Sequence, residues 1–156
     1  MTETLFRLTF PLAVPFWALM IFAPGWTWTR RIVSSPLIIV PPLLVYLALA
    51  IPNFAGLWAA VSRPDLEVLG DFFGSPAGAA ALWAHLIGFD LFVGRWMYLD
   101  SRDKGTSPLV TGPILALTIL LSPIGTLIYL AVRTLSPARA DGRRAVIAPQ
   151  TQGKIM

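Results

Sequence analysis

Four stretches of this chain contain no Asp, Glu, Lys or Arg: Leu8–Thr29, Ile32–Ser62, Phe72–Phe89 and Gly105–Val132. An α-helix needs roughly 20 predominantly apolar residues to cross the hydrocarbon core of a bilayer, and all four stretches come close to that length. Only 13% of the 156 residues are charged and 56% are hydrophobic, whereas soluble domains carry about 25% charge. The expected fold class is therefore all-α: an integral membrane bundle of four transmembrane helices near residues 5–23, 36–51, 79–99 and 109–135, several of them proline-kinked. Residues 1–135 form the membrane domain, and residues 136–156 a flexible basic tail. The first block reads as a span rather than a cleaved signal, because it is long, contains Pro11 and Pro15, and runs into "PGWTWTRR" instead of a small-residue cleavage site.

The inventory of reactive side chains excludes much. With no cysteine and one histidine, thiol catalysis, thiolate metal sites and a bis-histidine heme are ruled out. The two lysines, Lys104 and Lys154, lie outside the spans, so no retinal Schiff base forms within the membrane. No cofactor and no metal are assigned. The net charge of +4 does not point to nucleic acid, since Arg133, Arg139, Arg143, Arg144 and Lys154 cluster at the end of the last helix and in the tail, where anionic lipid is the natural partner.

Trp26 and Trp28, beside Arg30 and Arg31 in the first loop, have the character of interfacial anchors. In the long connection between the second and third spans, Leu66, Leu69, Phe72 and Phe73 recur at near-helical spacing, fitting a short surface helix as well as an irregular loop. Pro11, Pro15, Pro41, Pro42, Pro113 and Pro123 fall within the first, second and fourth spans and are expected to bend them, whereas the third has no interior proline. Four spans place both termini on one face. Arg7, Arg63, Arg133 and the tail cations then outnumber Arg30, Arg31, Arg102 and Lys104 opposite, which favours cytoplasmic termini.

The third span carries the chemistry, in "WAHLIGFDLFVGRWMYLDSRD" from Trp83 to Asp103. Ionisable groups deep in a bilayer cost about 2.5–3.5 kcal/mol each even on lenient scales, so they pair, line a cavity or face the bundle interior. His85, Asp90 and Arg95 are each five residues apart, about 140° around a helix. They point in different directions, either as glue between several helices or as parts of a ligand site. Gly88 and Gly94 permit close approach of a helix or ligand.

The same stretch, followed by "LSPIGTLIYLAVR", resembles the family of the plant abscisic-acid-deficient protein implicated in neoxanthin formation, which has many bacterial relatives. Trp83, His85 and Phe89 to Trp96 match its "FDLFVGRW" region, and Pro123, Gly125, Tyr129 and Arg133 match its "GPxGxxxYxxxR" element, with Ser122 in place of the glycine. The resemblance implies binding or isomerising a carotenoid or similar isoprenoid lipid. Rearranging an epoxide in an apolar slot would need a proton donor and a base, parts suited to Asp90 as acid and His85 as acid or base. Trp83, Phe89, Gly94, Arg95, Trp96 and Tyr129 are the expected ligand contacts, with the aromatics stacking along a polyene. The competing expectation is a non-catalytic membrane subunit that scaffolds a pigment or biosynthetic complex through a membrane-protein partner.

Overall fold

The computed structural model describes residues 1–135, so the expected basic tail lies outside the described residues. These residues are all-helical: α1 (Thr2–Phe22), α2 (Thr27–Ser34), a 3₁₀ turn (Pro36–Ile39), α3 (Val40–Ala50), α4 (Phe54–Ser62), α5 (Leu66–Gly74), α6 (Pro76–Asp103), α7 (Pro108–Leu120) and α8 (Ser122–Leu135). Two of them, α1 and α6, are long and apolar enough to cross a membrane, and α2 with the 3₁₀ turn and α3, bent by 74°, is either a broken third span or a re-entrant loop.

Helix α6, with no proline beyond its first residue, is the longest, and the others pack around it. Helix α1 runs parallel to α6, as Phe6 meets Trp83 near one end and Trp17 covers Gly94 further along. Helix α3 runs antiparallel, with Tyr46 against His85 and Leu43 against Gly88. Small residues make this seam: Ala80, Ala81 and Ala84 of α6 are buried against Val45 and Leu49, the close-packing mode expected where apolar burial alone cannot drive helices together in lipid. The connection after α3 contains two short helices, α4 and α5. The expected surface helix through Leu66–Phe73 is α5, opened by Asp65, whose carboxylate accepts from the amides of Glu67 and Val68.

The proline expectation needs partial correction. Pro11, Pro15 and Pro113 lie inside helices, but Pro41 and Pro42 sit in the first turn of α3 and Pro123 in the first turn of α8. There a missing N–H costs nothing, so these prolines start helices instead of kinking them.

The expected fourth span is also corrected. The chain breaks at Leu121 (φ −140°, ψ 63°), and α8 folds back beside α7, so close that a Cβ on Gly125 would collide with the backbone of Thr118. Thr118 lies against Met97, while Tyr129 and Arg133 reach Asp100. Helix α7 therefore descends antiparallel to α6, and α8 returns parallel to it. At 13 residues α7 covers about 20 Å, short of a bilayer. Hydropathy alone cannot detect this reversal, because both arms of the hairpin are apolar. Residues 1–135 thus begin beside the Pro76 end of α6 and finish beside the Asp103 end.

Candidate functional site

The polar residues of α6 fan out to different neighbours, as their spacing demands. Arg95 donates from Nε to the Val33 carbonyl at 2.8 Å and from its guanidinium to the Ser34 carbonyl at 2.6 Å. These are among the last carbonyls of α2, which have no intrahelical partner, and a cation suits that end of a helix dipole. Arg95 therefore caps α2 and joins it to α6. Three residues on, the Tyr98 hydroxyl donates to the Pro24 carbonyl at 2.9 Å, and Asp103 pairs with Arg30 at 2.7 Å.

On the other side of the same end, Asp100 accepts from the Tyr129 hydroxyl at 2.7 Å, Arg133 Nε at 2.9 Å and the second Arg133 nitrogen at 3.2 Å. The Arg133 guanidinium also lies over the Trp96 ring, which meets Tyr129 edge-on at 5.4 Å. Trp96 and Tyr129 are brought together, but by a lock fastening α8 to α6. Sequence reasoning left Asp100 out of the site. The available signal was the four-residue spacing of Tyr129 and Arg133, which presents both on one face of a helix.

Asp90 and His85 diverge. The half-buried Asp90 carboxyl faces the Ser122 hydroxyl, in the first turn of α8, where unpaired amides attract an acceptor oxygen. His85 turns to α3 instead: its ring stacks on Phe89 at 4.6 Å and meets Tyr46 edge-on at 5.7 Å. Gly94 is covered by the Trp17 indole, and Trp83 packs against Phe6 at 5.9 Å. The eight expected site residues thus form several separate groups around one helix, not one constellation.

Three apolar hollows accompany these groups. The largest, about 650 Å³, lies between α1 and α7 and is lined by residues including Phe10, Val14, Trp17, Ile21, Gly112, Pro113 and Ala116; of the expected site residues it holds none. A second, about 210 Å³, includes Tyr46, Phe73 and His85. A third, about 200 Å³, includes Leu43, Gly88, Phe89 and Phe92. Among the described residues no group of three or more His, Cys, Asp or Glu side chains could hold a metal ion.

Fold and site define a class: a small all-helical protein with membrane-length helices, a central polar-studded helix and apolar hollows along it. Within that class, the chain belongs to the ABA DEFICIENT 4-like family, whose family model matches residues 4–129. It is similar to Protein ABA DEFICIENT 4, chloroplastic, of Arabidopsis thaliana, with 28% identity over 128 residues that cover 78% of this chain and 57% of that one. The chain therefore spans little more than half the length of that relative. No solved structure matches it. The family resemblance carried by the α6 and α8 motifs is thereby upheld, and the structure gives those motifs physical roles. Pro123 and Gly125 form the hairpin turn, while Tyr129 and Arg133 fasten it to Asp100.

Proposed function

We propose that this protein is a multi-pass membrane protein that holds a carotenoid or similar isoprenoid lipid between α1 and α7. The observation that carries this reading is the 650 Å³ groove between α1 and α7, long-walled, almost wholly apolar and open on one side, as suits a flexible hydrocarbon partner. Family membership supports an isoprenoid over an ordinary acyl chain. The test is to purify the protein in mild detergent and identify retained lipids by mass spectrometry. Gly112 lines the groove, and a Cβ there would meet nothing within 4 Å, so Gly112→Trp has room to start its side chain into the groove. Retained isoprenoid in the wild type and its loss in Gly112→Trp support the reading; equal retention by both removes the groove from it.

We read Asp90, beside the Ser122 hydroxyl and within electrostatic reach of His85, as the acid of any isomerase chemistry. Replacing the acting acid, as in Asp90→Asn, lowers turnover of an epoxy-carotenoid about 10²–10⁴-fold. The scaffolding reading has one observation of its own. Phe54 and Trp58 of α4 stack at 6.0 Å and are 58% and 59% exposed, a paired aromatic face suited to a membrane-protein partner. A co-purifying protein lost on Trp58→Ala, with no bound isoprenoid, would favour it.

We also read the orientation as opposite to the one expected from the sequence. Three crossings with α7–α8 re-entering from the Asp103 end leave Arg30, Arg31, Arg102, Lys104 and Arg133 at that end and Arg7 and Arg63 at the other. Basic flanks favour the cytoplasmic side, so we place the Asp103 end there and the start of α1 opposite.

A further inference from the structure

We infer that the Asp103 end of α6 carries a site for the headgroup of an anionic phospholipid, gripped by Arg31 on the Trp28 indole and by Lys104. The inference rests on the membrane reading of the chain and is independent of what fills the groove between α1 and α7.

The ion pairs at this end leave particular cations over. Arg30 is taken by Asp103 and Arg133 by Asp100, so Arg133, which the sequence offers to anionic lipid, is committed inside the protein. Among the described residues Arg31 and Lys104 have no carboxylate partner. They are the immediate chain neighbours of Arg30 and Asp103, so the 2.7 Å bridge between those two brings both cations to the same end of the molecule. Arg102 adds a further charge there, its Nε buried and unpartnered and its terminal nitrogen donating to the Thr106 carbonyl. Arg30, Arg31, Arg102, Lys104 and Arg133 together outnumber Asp100 and Asp103, whereas at the Pro76 end Arg7 and Arg63 are themselves outnumbered by Glu3, Asp65, Glu67 and Asp71.

Arg31 is placed to receive a phosphate. It follows Trp28 by one turn of α2, and its guanidinium carbon lies 5.2 Å from the centre of the indole. A guanidinium over an indole is held by its charge, so its N–H groups stay available for bidentate donation to a phosphate. Trp26 and Trp28 are 54% and 52% exposed, and tryptophan settles at the headgroup level of a bilayer, the depth at which lipid phosphates lie. Helix α2 is itself fixed before lipid arrives: Arg95 holds its last carbonyls, Arg30 holds Asp103, and Thr29 and Val33 are buried. That lowers the ordering cost of binding. A zwitterionic lipid brings a cation of its own to this positive surface, whereas an anionic one is attracted by every unpaired charge. Each basic residue near an anionic surface is worth about a fivefold preference.

The test reconstitutes the full chain in vesicles of equimolar phosphatidylglycerol and phosphatidylcholine with matched acyl chains, extracts it in mild detergent, and counts the retained phospholipids by native mass spectrometry. The wild type is expected to favour phosphatidylglycerol by about 10- to 30-fold. Arg31→Gln, at an exposed position, should lower that preference about 3- to 5-fold. Lys104→Gln should act alike, and the double variant should lose most of the preference. Arg31→Lys, which keeps the charge, should retain most of it, and Arg7→Gln, at the opposite end, should leave it unchanged. Undiminished preference in the double variant would overturn the proposal, as would displacement of phosphatidylglycerol by excess inorganic phosphate, the mark of a soluble-phosphate site. Release of the protein from the vesicles by an alkaline wash would remove the membrane reading and this site with it. A protein that stays in the bilayer yet retains both lipids equally would remove the site alone.

Discussion

The two halves of α6 hold their neighbours by different physics. Toward Asp103, contacts are directional: Arg95 caps α2, Tyr98 holds the α1–α2 loop, and Asp100 receives Tyr129 and Arg133. Toward Pro76, contacts are close-packed and nearly apolar, through Ala80, Ala81 and Ala84 against α3 and the Phe6–Trp83 pair. Hydrogen bonds and ion pairs fix one geometry, since a displaced partner leaves a polar group unsatisfied. Small-residue packing tolerates rearrangement and leaves hollows. The polar half therefore maintains the architecture, and the apolar half, where the His85 hollow lies, is the half more easily repacked.

This contrast can be broken one residue at a time. The largest effect is expected from Asp100→Ala, which removes a partly buried carboxylate that accepts three hydrogen bonds and should cost about 2–4 kcal/mol, read as a lowered melting temperature in micelles. Gly94→Ala comes next, because its methyl would press into the Trp17 indole; overpacking of this kind costs about 1–3 kcal/mol, and Trp17→Leu in the same chain should recover part of it. Arg95→Met, losing two bonds to the α2 carbonyls, is expected to cost about 1–2 kcal/mol by denaturant titration. At the opposite end, Phe6→Leu alters an aromatic pair whose members are 43% and 37% exposed and should stay within about 0.5 kcal/mol. A loss from Phe6→Leu as large as that from Asp100→Ala would abolish the distinction between the halves.

Much of this was legible from sequence because helical periodicity is rigid. The five-residue steps from His85 to Asp90 to Arg95 required three different neighbours, and α3, α8 and α2 are those neighbours. The absence of proline from the interior of the third span, residues 79–99, marked α6 as the helix the others bend around. Less accessible was the break at Leu121. Gly105–Val132 is uncharged throughout, and an apolar hairpin has the same hydropathy as one long helix. The clue lay in "SPIG", where Pro123 favours a helix start and Gly125 allows close approach. Treating Pro123 as a kink hid the reversal, and with it the partner of Asp100. The groove between α1 and α7 was likewise invisible, since its lining comes from segments nearly a hundred residues apart and carries no distinctive chemistry.

The reversal at Leu121 decides where the chain emerges and which residues meet Asp100. The chain has no cysteine, so Thr4→Cys and Thr134→Cys, both at exposed positions, can be introduced singly and labelled with a membrane-impermeant maleimide in sealed, oriented vesicles. The hairpin predicts labelling of one variant from outside and of the other only after the vesicles are opened. Labelling of both from the same side would contradict it and restore a fourth continuous span.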